Sequence, residues 1–326
     1  MFKNNKFIKK ATLYLLCTVF VCYGIAGMII NSSGFSFYNL FKDFHSNVNI
    51  NVGGHWSDFI YKYSYEVDEE KSIDISSTNN IKIDTVSADI RILISDDHNV
   101  KATLKGYIKS SQEVSTPKLD MTEQKDTIYI RSQGKSFIGP SSYSENLTLE
   151  VFIPESYVNN LYIKSTSSDV TIETLNLNSF NINTTSGTIN AGEITVKNFD
   201  FGSTSGDLKI DKLKSDNNQI KTTSGNIKVD SMEGKLSLKS TSGDSYLYYR
   251  DMPSGEININ AISGKVELLT PSNAEFFINS SSTSGNIALN KPIILEVKKE
   301  HQIKGVVGSD KCKVNIKTTS GDIRIK

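Results

Sequence analysis

The chain has 326 residues, with 36 basic and 36 acidic side chains; its first 30 residues hold four lysines and no acid, leaving 32 basic against 36 acidic beyond them. That balance excludes the basic stripe of a nucleic-acid surface and electrostatic adhesion to anionic lipid. Cys17 and Cys22 lie in the N-terminal apolar run and Cys312 stands alone in the rest, so no intramolecular disulfide staples the fold.

Residues 1–10 form a short basic tail with Lys3, Lys6, Lys9 and Lys10. Residues 11–30 carry no charge and include Leu13, Leu15, Leu16, Val19, Phe20, Val21 and Ile25. Twenty helical residues span about 30 Å, the thickness of the hydrocarbon core. Lysine excess marks the cytoplasmic side, so everything after Ile30 is expected outside the cell membrane. A cleaved signal peptide is the alternative, with Gly24-Ile-Ala26 as its small-x-small site. The apolar run continues through Met28, Ile29 and Ile30, which favours an uncleaved, single-pass anchor.

Residues 31–72 are a separate aromatic-rich segment, with Phe35, Tyr38, Phe41, Trp56, Phe59 and Tyr65 among its rings. Such rings either sit at headgroup level or cap the domain that follows. His45 and His55 lie here without partners at ligand spacing, so no metal site is read.

Residues 73–326 read as one β-strand-repeat domain. Its signature is a recurring Ser-Gly, usually Thr-Ser-Gly, at Gly187, Gly206, Gly225, Gly243, Gly264, Gly285 and Gly321. Five of the six intervals run 18 to 21 residues and the last is 36. Apolar parity switches across each one, as from Ile220 and Thr222 to Ile227 and Val229. Side chains alternate faces along a strand with period 2. A slip at a fixed Ser-Gly therefore predicts a corner where the strand bends and keeps its apolar face inward. Turns of about 20 residues repeating in this way predict an all-β, β-helix-like solenoid. Two degenerate turns precede the series, with Ala88 and Ser168 in the glycine slot. From Ser168 to Gly285 the turns follow one another without a gap. Residues 99–160 break the repeat with antiparallel strands such as Val100–Ile108 and Asn146–Ile153, leading into the main stack. Residues 292–313 are a second departure, an insertion with a strand near Ile293–Val297, and they account for the long last interval.

Two columns of mostly polar residues flank each corner. After the glycine stand Thr188, Asp207, Asn226, Asp244, Lys265, Asn286 and Asp322. Adjacent turns offer no carboxylate pair there, and Asp, Asn and Thr favour turns for backbone reasons. Three residues before the glycine stand Thr184, Ser203, Thr222, Ser240, Ala261, Ser282 and Thr318. Their parity points inward, where hydroxyls can satisfy corner backbone groups. A serine nucleophile needs a histidine base, and neither His98 nor His301 has a motif around it. Cys312, beside Lys311 and Lys313, reads as a buried structural thiol rather than a reactive one. No catalytic, cofactor-binding or metal residue is assigned, and no cofactor is expected.

The iterated [Thr/Ser]-x-Ser-Gly-[Asp/Asn]-[Ile/Leu]-x-[Ile/Val], as in Thr222–Val229 and Thr318–Ile325, carries a resemblance. So do Leu149-Glu-Val-Phe-Ile-Pro154 before the Ser168 turn, and Gly305–Gly308 before Val314–Ile325. The chain resembles, over roughly residues 73–326, the bacterial "putative adhesin" toastrack-like β-strand-repeat family, a domain of unknown function. The resemblance implies export, often a membrane anchor, and association with envelope-stress systems in low-GC Gram-positive bacteria. It brings no catalytic residues. Ala88, Ser168 and the aromatic segment depart from the pattern.

The expected function is non-enzymatic: an extracytoplasmic surface protein, held to the membrane by residues 11–30, whose solenoid binds an envelope polysaccharide or protein. The alternatives are a carbohydrate-active enzyme on a β-helix scaffold, and an envelope-stress regulator acting through a membrane partner. Glycosidic cleavage needs two carboxyl groups about 5 to 9.5 Å apart. Asp207 and Asp244, two turns apart, would be separated by roughly 9.6 Å, with Asn226 between them.

Overall fold

The computed structural model describes residues 61–133 and 142–326. The basic tail, the 11–30 segment, Cys17, Cys22, His45, His55 and the aromatic residues through Phe59 lie outside the described residues. Those described fold entirely as β-structure, and none forms a helix long and apolar enough to cross a membrane. In chain order the strands are β1 (Tyr63–Asp74), β2 (Asn80–Thr85), β3 (Asp89–Ser95), β4 (Asn99–Ser110), β5 (Lys118–Gln124), β6 (Thr127–Gln133) and β7 (Tyr143–Pro154). Then come β8 (Asn160–Ser165), β9 (Val170–Thr184), β10 (Ile189–Ser203), β11 (Leu208–Thr222), β12 (Ile227–Ser240), β13 (Ser245–Tyr249) and β14 (Gly255–Ala261). The series ends with β15 (Val266–Leu269), β16 (Phe276–Ser282), β17 (Ile287–Leu289), β18 (Ile294–Lys299), β19 (Gln302–Val307), β20 (Cys312–Thr318) and β21 (Ile323–Ile325). The sheet begins at Tyr63, so the boundary drawn at residue 73 falls inside β1. Tyr63, Tyr65 and Val67 alternate inward there, an alternation masked in the sequence by the run of aromatic residues before it.

Each strand from β9 to β12 is a nearly whole coil. Successive coils pair in parallel, with Ile189 opposite Val170 and Leu208 opposite Ile189. The sequence suggested one phase slip per repeat; these coils have three. In β10 the register skips Gly192 and Lys197. The buried residues accordingly fall into three runs: Ile189 and Ala191, then Ile194 and Val196, then Phe199 and Phe201. Like residues stack into columns, such as Leu175, Ile194, Leu213 and Met232, all nearly inaccessible. A column of that kind is what a solenoid has for a core, since each coil buries its neighbour's apolar edge.

The ends of the stack do not follow chain order. β2 and β3 stack directly on β8 and β9, with Asn80 opposite Asn160 and Ile90 opposite Val170. β6 and β7 lie on the other side of β2 and β3, also parallel to them. Strands β4 to β7 therefore extend the stack outward from the Ala88 coil rather than bridging it to the Ser168 coil. Their antiparallel partners are β4 for β7 and β5 for β6, and β1 completes the edge against β4. At the opposite end the Gly321 coil is interleaved. β20 pairs with β14 on one side and β16 on the other, and β21 lies between β15 and β17. The uninterrupted run expected from Ser168 to Gly285 thus stops at Gly264. Next in space is Gly321, and Gly285 follows it. β18 and β19, the 292–313 insertion, continue antiparallel from β16.

Candidate functional site

The corner glycines form one continuous spine. A Cβ on Gly206 would lie 2.4 Å from the Gly187 carbonyl oxygen, one on Gly225 1.9 Å from that of Gly206, and one on Gly243 2.3 Å from that of Gly225. The same relation runs from Gly264 to Gly243, from Gly321 to Gly264 and from Gly285 to Gly321. Gly187 meets the Ser168 carbonyl at 2.1 Å, where the spine passes to the side-chain-bearing slots Ser168 and Ala88, both buried. Close approach of consecutive backbones, more than φ alone, makes glycine necessary.

The hydroxyl column meets the corner backbone in three ways, and at Gly321 the Thr318 hydroxyl donates to Gly321 O (2.8 Å). At Gly206, Gly225 and Gly285 the glycine N–H donates to the hydroxyl of Ser203 (2.6 Å), Thr222 (2.9 Å) and Ser282 (2.8 Å). Gly187 and Gly243 have φ of +107° and +104°. There the same peptide group presents its carbonyl instead, and the hydroxyls of Thr184 and Ser240 donate to Ser186 O (2.5 Å) and Ser242 O (3.0 Å). A hydroxyl both donates and accepts, so one residue type satisfies either peptide orientation. Ala261 supplies no hydroxyl at the Gly264 corner.

The column after the glycine is a ladder of side chain to backbone bonds. Asp89 Oδ1 accepts from the Asp169 N–H (3.0 Å) and Asp169 Oδ1 from the Thr188 N–H (2.6 Å). Asp207 accepts from Asn226 (2.8 Å), Asn226 from Asp244 (3.0 Å) and Asp244 from Lys265 (2.8 Å). Asp322 accepts from Asn286 (2.9 Å), which again places the Gly321 coil before the Gly285 coil. Each carboxylate here has a structural partner in the next coil, and Asp207 and Asp244 remain two coils apart. His98 is exposed in its turn, and His301 Nδ1 lies 3.0 Å from Gly285 O. Cys312 is buried, and burial pushes its thiol up to about 11, away from nucleophilic use. Among the described residues no cluster of His, Cys, Asp and Glu side chains is arranged to hold a metal.

Two internal features escaped the sequence reading. Asn218 occupies a core column beside Phe199, fully enclosed. It accepts from Ser215 (2.6 Å) and donates to the carbonyls of Glu233 and Lys235 (3.0 Å each). It fills the place where β12, one residue shorter than β11, tightens its bend. Tyr249, fully buried, donates to Gly234 O (3.2 Å) at the same bend. Burial raises its phenol well above the ordinary value. An inward Asn reads as a loop residue until the coil register is known.

The remaining surface of note is an outward row on the strand face that precedes the corners. Tyr162, Asn181, Asp200, Gln219, Ser237, Asn258, Asn315 and Asn279 are successive register partners across eight strands. Gln219 donates to Asp200 (3.2 Å) and Asn315 to Asn258 (2.9 Å). Amide and hydroxyl groups repeat here at the strand spacing, about 4.8 Å. The row can offer donors and acceptors to an extended ligand, whereas nothing along it is arranged as an acid–base pair.

The Toastrack DUF4097 family model matches residues 78–326. No curated protein matches the chain. Among solved structures, one from Parabacteroides distasonis named a "putative adhesin" is 14% identical, covers 79% of this chain and 97% of its own, and has a TM-score of 0.42. One from Bacteroides fragilis with the same designation is 14% identical, covers 82% and 99%, and has a TM-score of 0.38. A "putative lipid binding protein" from Parabacteroides distasonis is 12% identical, covers 80% and 97%, and has a TM-score of 0.37.

Proposed function

The chain belongs to the toastrack family of unknown function, and from that premise we propose that it is a non-enzymatic surface protein whose solenoid binds a polymer of the cell envelope. Residues 11–30 tether it to the cell membrane as a single pass, with the β-domain outside. One observation carries the reading. The polar groups repeated along the stack divide into a corner ladder already satisfied by backbone and an outward row with capacity to spare. A solenoid face of this kind presents many weak, evenly spaced contacts, which suits an extended partner better than a small substrate.

The test incubates the full chain, in detergent, with purified envelope polysaccharide and separates bound from free by sedimentation. Retention without release of reducing ends or unsaturated sugars is the expected outcome. Product release that disappears in Asp207→Asn with Asp244→Asn would replace this reading with a carbohydrate-active enzyme. Protease added to intact wall-stripped cells should digest the β-domain, and protection would reverse the proposed orientation.

A further inference from the structure

At one end of the outward row the amides give way to rings. Tyr129, Lys82 and Tyr162 are register partners on β6, β2 and β8. Their side chains stand at the strand spacing, so the two tyrosines are roughly 9.6 Å apart. Lys82 Nζ lies 5.5 Å from each tyrosine ring centroid, and the Arg131 guanidinium lies 4.7 Å over Tyr129. With Lys164 and Asn181 they line a shallow concavity of about 480 Å³.

A cross-strand Tyr–Lys–Tyr set has an ordinary structural use, covering the sheet and contributing about 0.2–1 kcal/mol per pair. Two observations ask for more. Arg131 is paired with Asp120 at 3.4 Å, but Lys82 and Lys164 form no ion pair among the described residues. And the platform runs straight into the amide row through Tyr162 and Asn181, so the rings, the Lys82 ammonium and the amides share one line, with Lys164 in the neighbouring row beside Asp84 and Asn183. Resting on the surface-binding reading above, the geometry points to an acidic polysaccharide as the ligand of this end, its sugar faces on Tyr129 and Tyr162 and its anionic group at Lys82 and Lys164.

The chemistry selects this class over others. Sugar hydroxyls donate and accept, as the side-chain amides do. The flat, weakly apolar face of a sugar ring suits the face of a tyrosine, whose hydroxyl remains available at the rim. Peptide addition as an extra strand needs a free sheet edge, and β2 is paired on both sides. Adhesion to an anionic membrane needs a cluster of about 4–8 uncompensated cations, and here Asp84 and Asp120 lie among the three.

The experiment measures binding of the full chain in detergent to three probes: polygalacturonate, its fully methyl-esterified form, and poly-γ-glutamate. Polygalacturonate should bind at least ten-fold more tightly than the neutral ester, which keeps the rings, and than polyglutamate, which keeps the charge. Tyr129→Ala with Tyr162→Ala should weaken it ten-fold or more, while Tyr129→Phe with Tyr162→Phe retains most of it and controls for folding. Lys82→Gln should weaken it several-fold and flatten its salt dependence; Lys228→Gln, on the face that follows the Gly225 corner, should not. Equal binding of polyglutamate, or tyrosine-to-alanine variants that bind normally, overturns the platform. Retention on envelope material with no polygalacturonate binding overturns the ligand class and leaves the surface reading standing. Loss of both overturns both.

Discussion

The coils from β9 to β12 and the two ends of the stack solve the same packing problem in opposite ways. In the middle each coil rests on the one made just before it, 18 or 19 residues earlier. At the ends the partners are distant in the chain: Asn80 opposite Asn160, Gly255 opposite Cys312. The middle is a nearest-neighbour array, whose stability is close to a sum of coil and interface terms. The ends depend on non-local closure, which must first overcome the entropy of the intervening loop. Repetition therefore supplies the length of the stack, and out-of-order pairing locks each end to an interior coil.

The sharpest break in that comparison is deletion of residues 312–326. It removes Val314, Ile316, Ile323 and Ile325, all fully buried, and parts β14 and β15 from β16 and β17. Burying four such side chains is worth roughly 6–12 kcal/mol at about 1.5–3 kcal/mol each, comparable to the whole stability of a domain. We expect no cooperative melting transition beyond β14; an unchanged melt would show that the interleaved coil holds nothing.

A smaller effect tests the spine. Gly225→Ala would set its Cβ 1.9 Å from a backbone oxygen, whereas at Gly202 the nearest atom is the Asn183 side-chain oxygen, free to swing away. We expect Gly225→Ala to cost roughly 2–3 kcal/mol and Gly202→Ala to stay within about 0.5 kcal/mol in denaturant titrations. Equal midpoints for the two variants would sink the close-approach account.

The gentlest test is pH. Hydrogen bonds from Lys265 and from Lys326 (2.6 Å) hold the Glu267 carboxyl down to about 2, from an ordinary 4.5. Because the folded value is the lower one, this stabilisation is complete above about pH 4.5 and fades as pH falls toward 2. Lys326 belongs to the Gly321 coil and Glu267 to the Gly264 coil, so the pair reports on the interleaved seam. Glu267→Gln should flatten the acid limb of the stability profile; an identical limb in both proteins would exclude the pair as its source.

How far the sequence could be read follows the same division. Ser-Gly corners and their flanking alternation were visible because backbone approach, as at Gly206 or Gly225, constrains the residue type from the Gly187 coil onward. The bends at Gly192 and Lys197 were not, since runs as short as Ile194 and Val196 are too brief to establish a phase. The 36-residue interval before Gly321 read as an insertion followed by one more turn, because sequence spacing carries no information on spatial order. For the same reason the ring platform was hidden: Lys82, Tyr129 and Tyr162 come from three segments that only tertiary register aligns. The hydroxyl column was legible as inward and polar, but its bonding modes depend on peptide orientation.

The interleaving also sets an order of events as the chain folds from its N-terminal side. Phe276–Leu289 emerges before its seat, the Gly321 coil, is available. Until that coil follows, Phe276 and Ile278, both buried in the finished stack, face water. Serine and threonine from Ser280 to Ser284, and the lysines of the strand Ile294–Lys299, follow those two residues. A waiting segment so composed stays soluble where a run of valine and isoleucine would seek another edge.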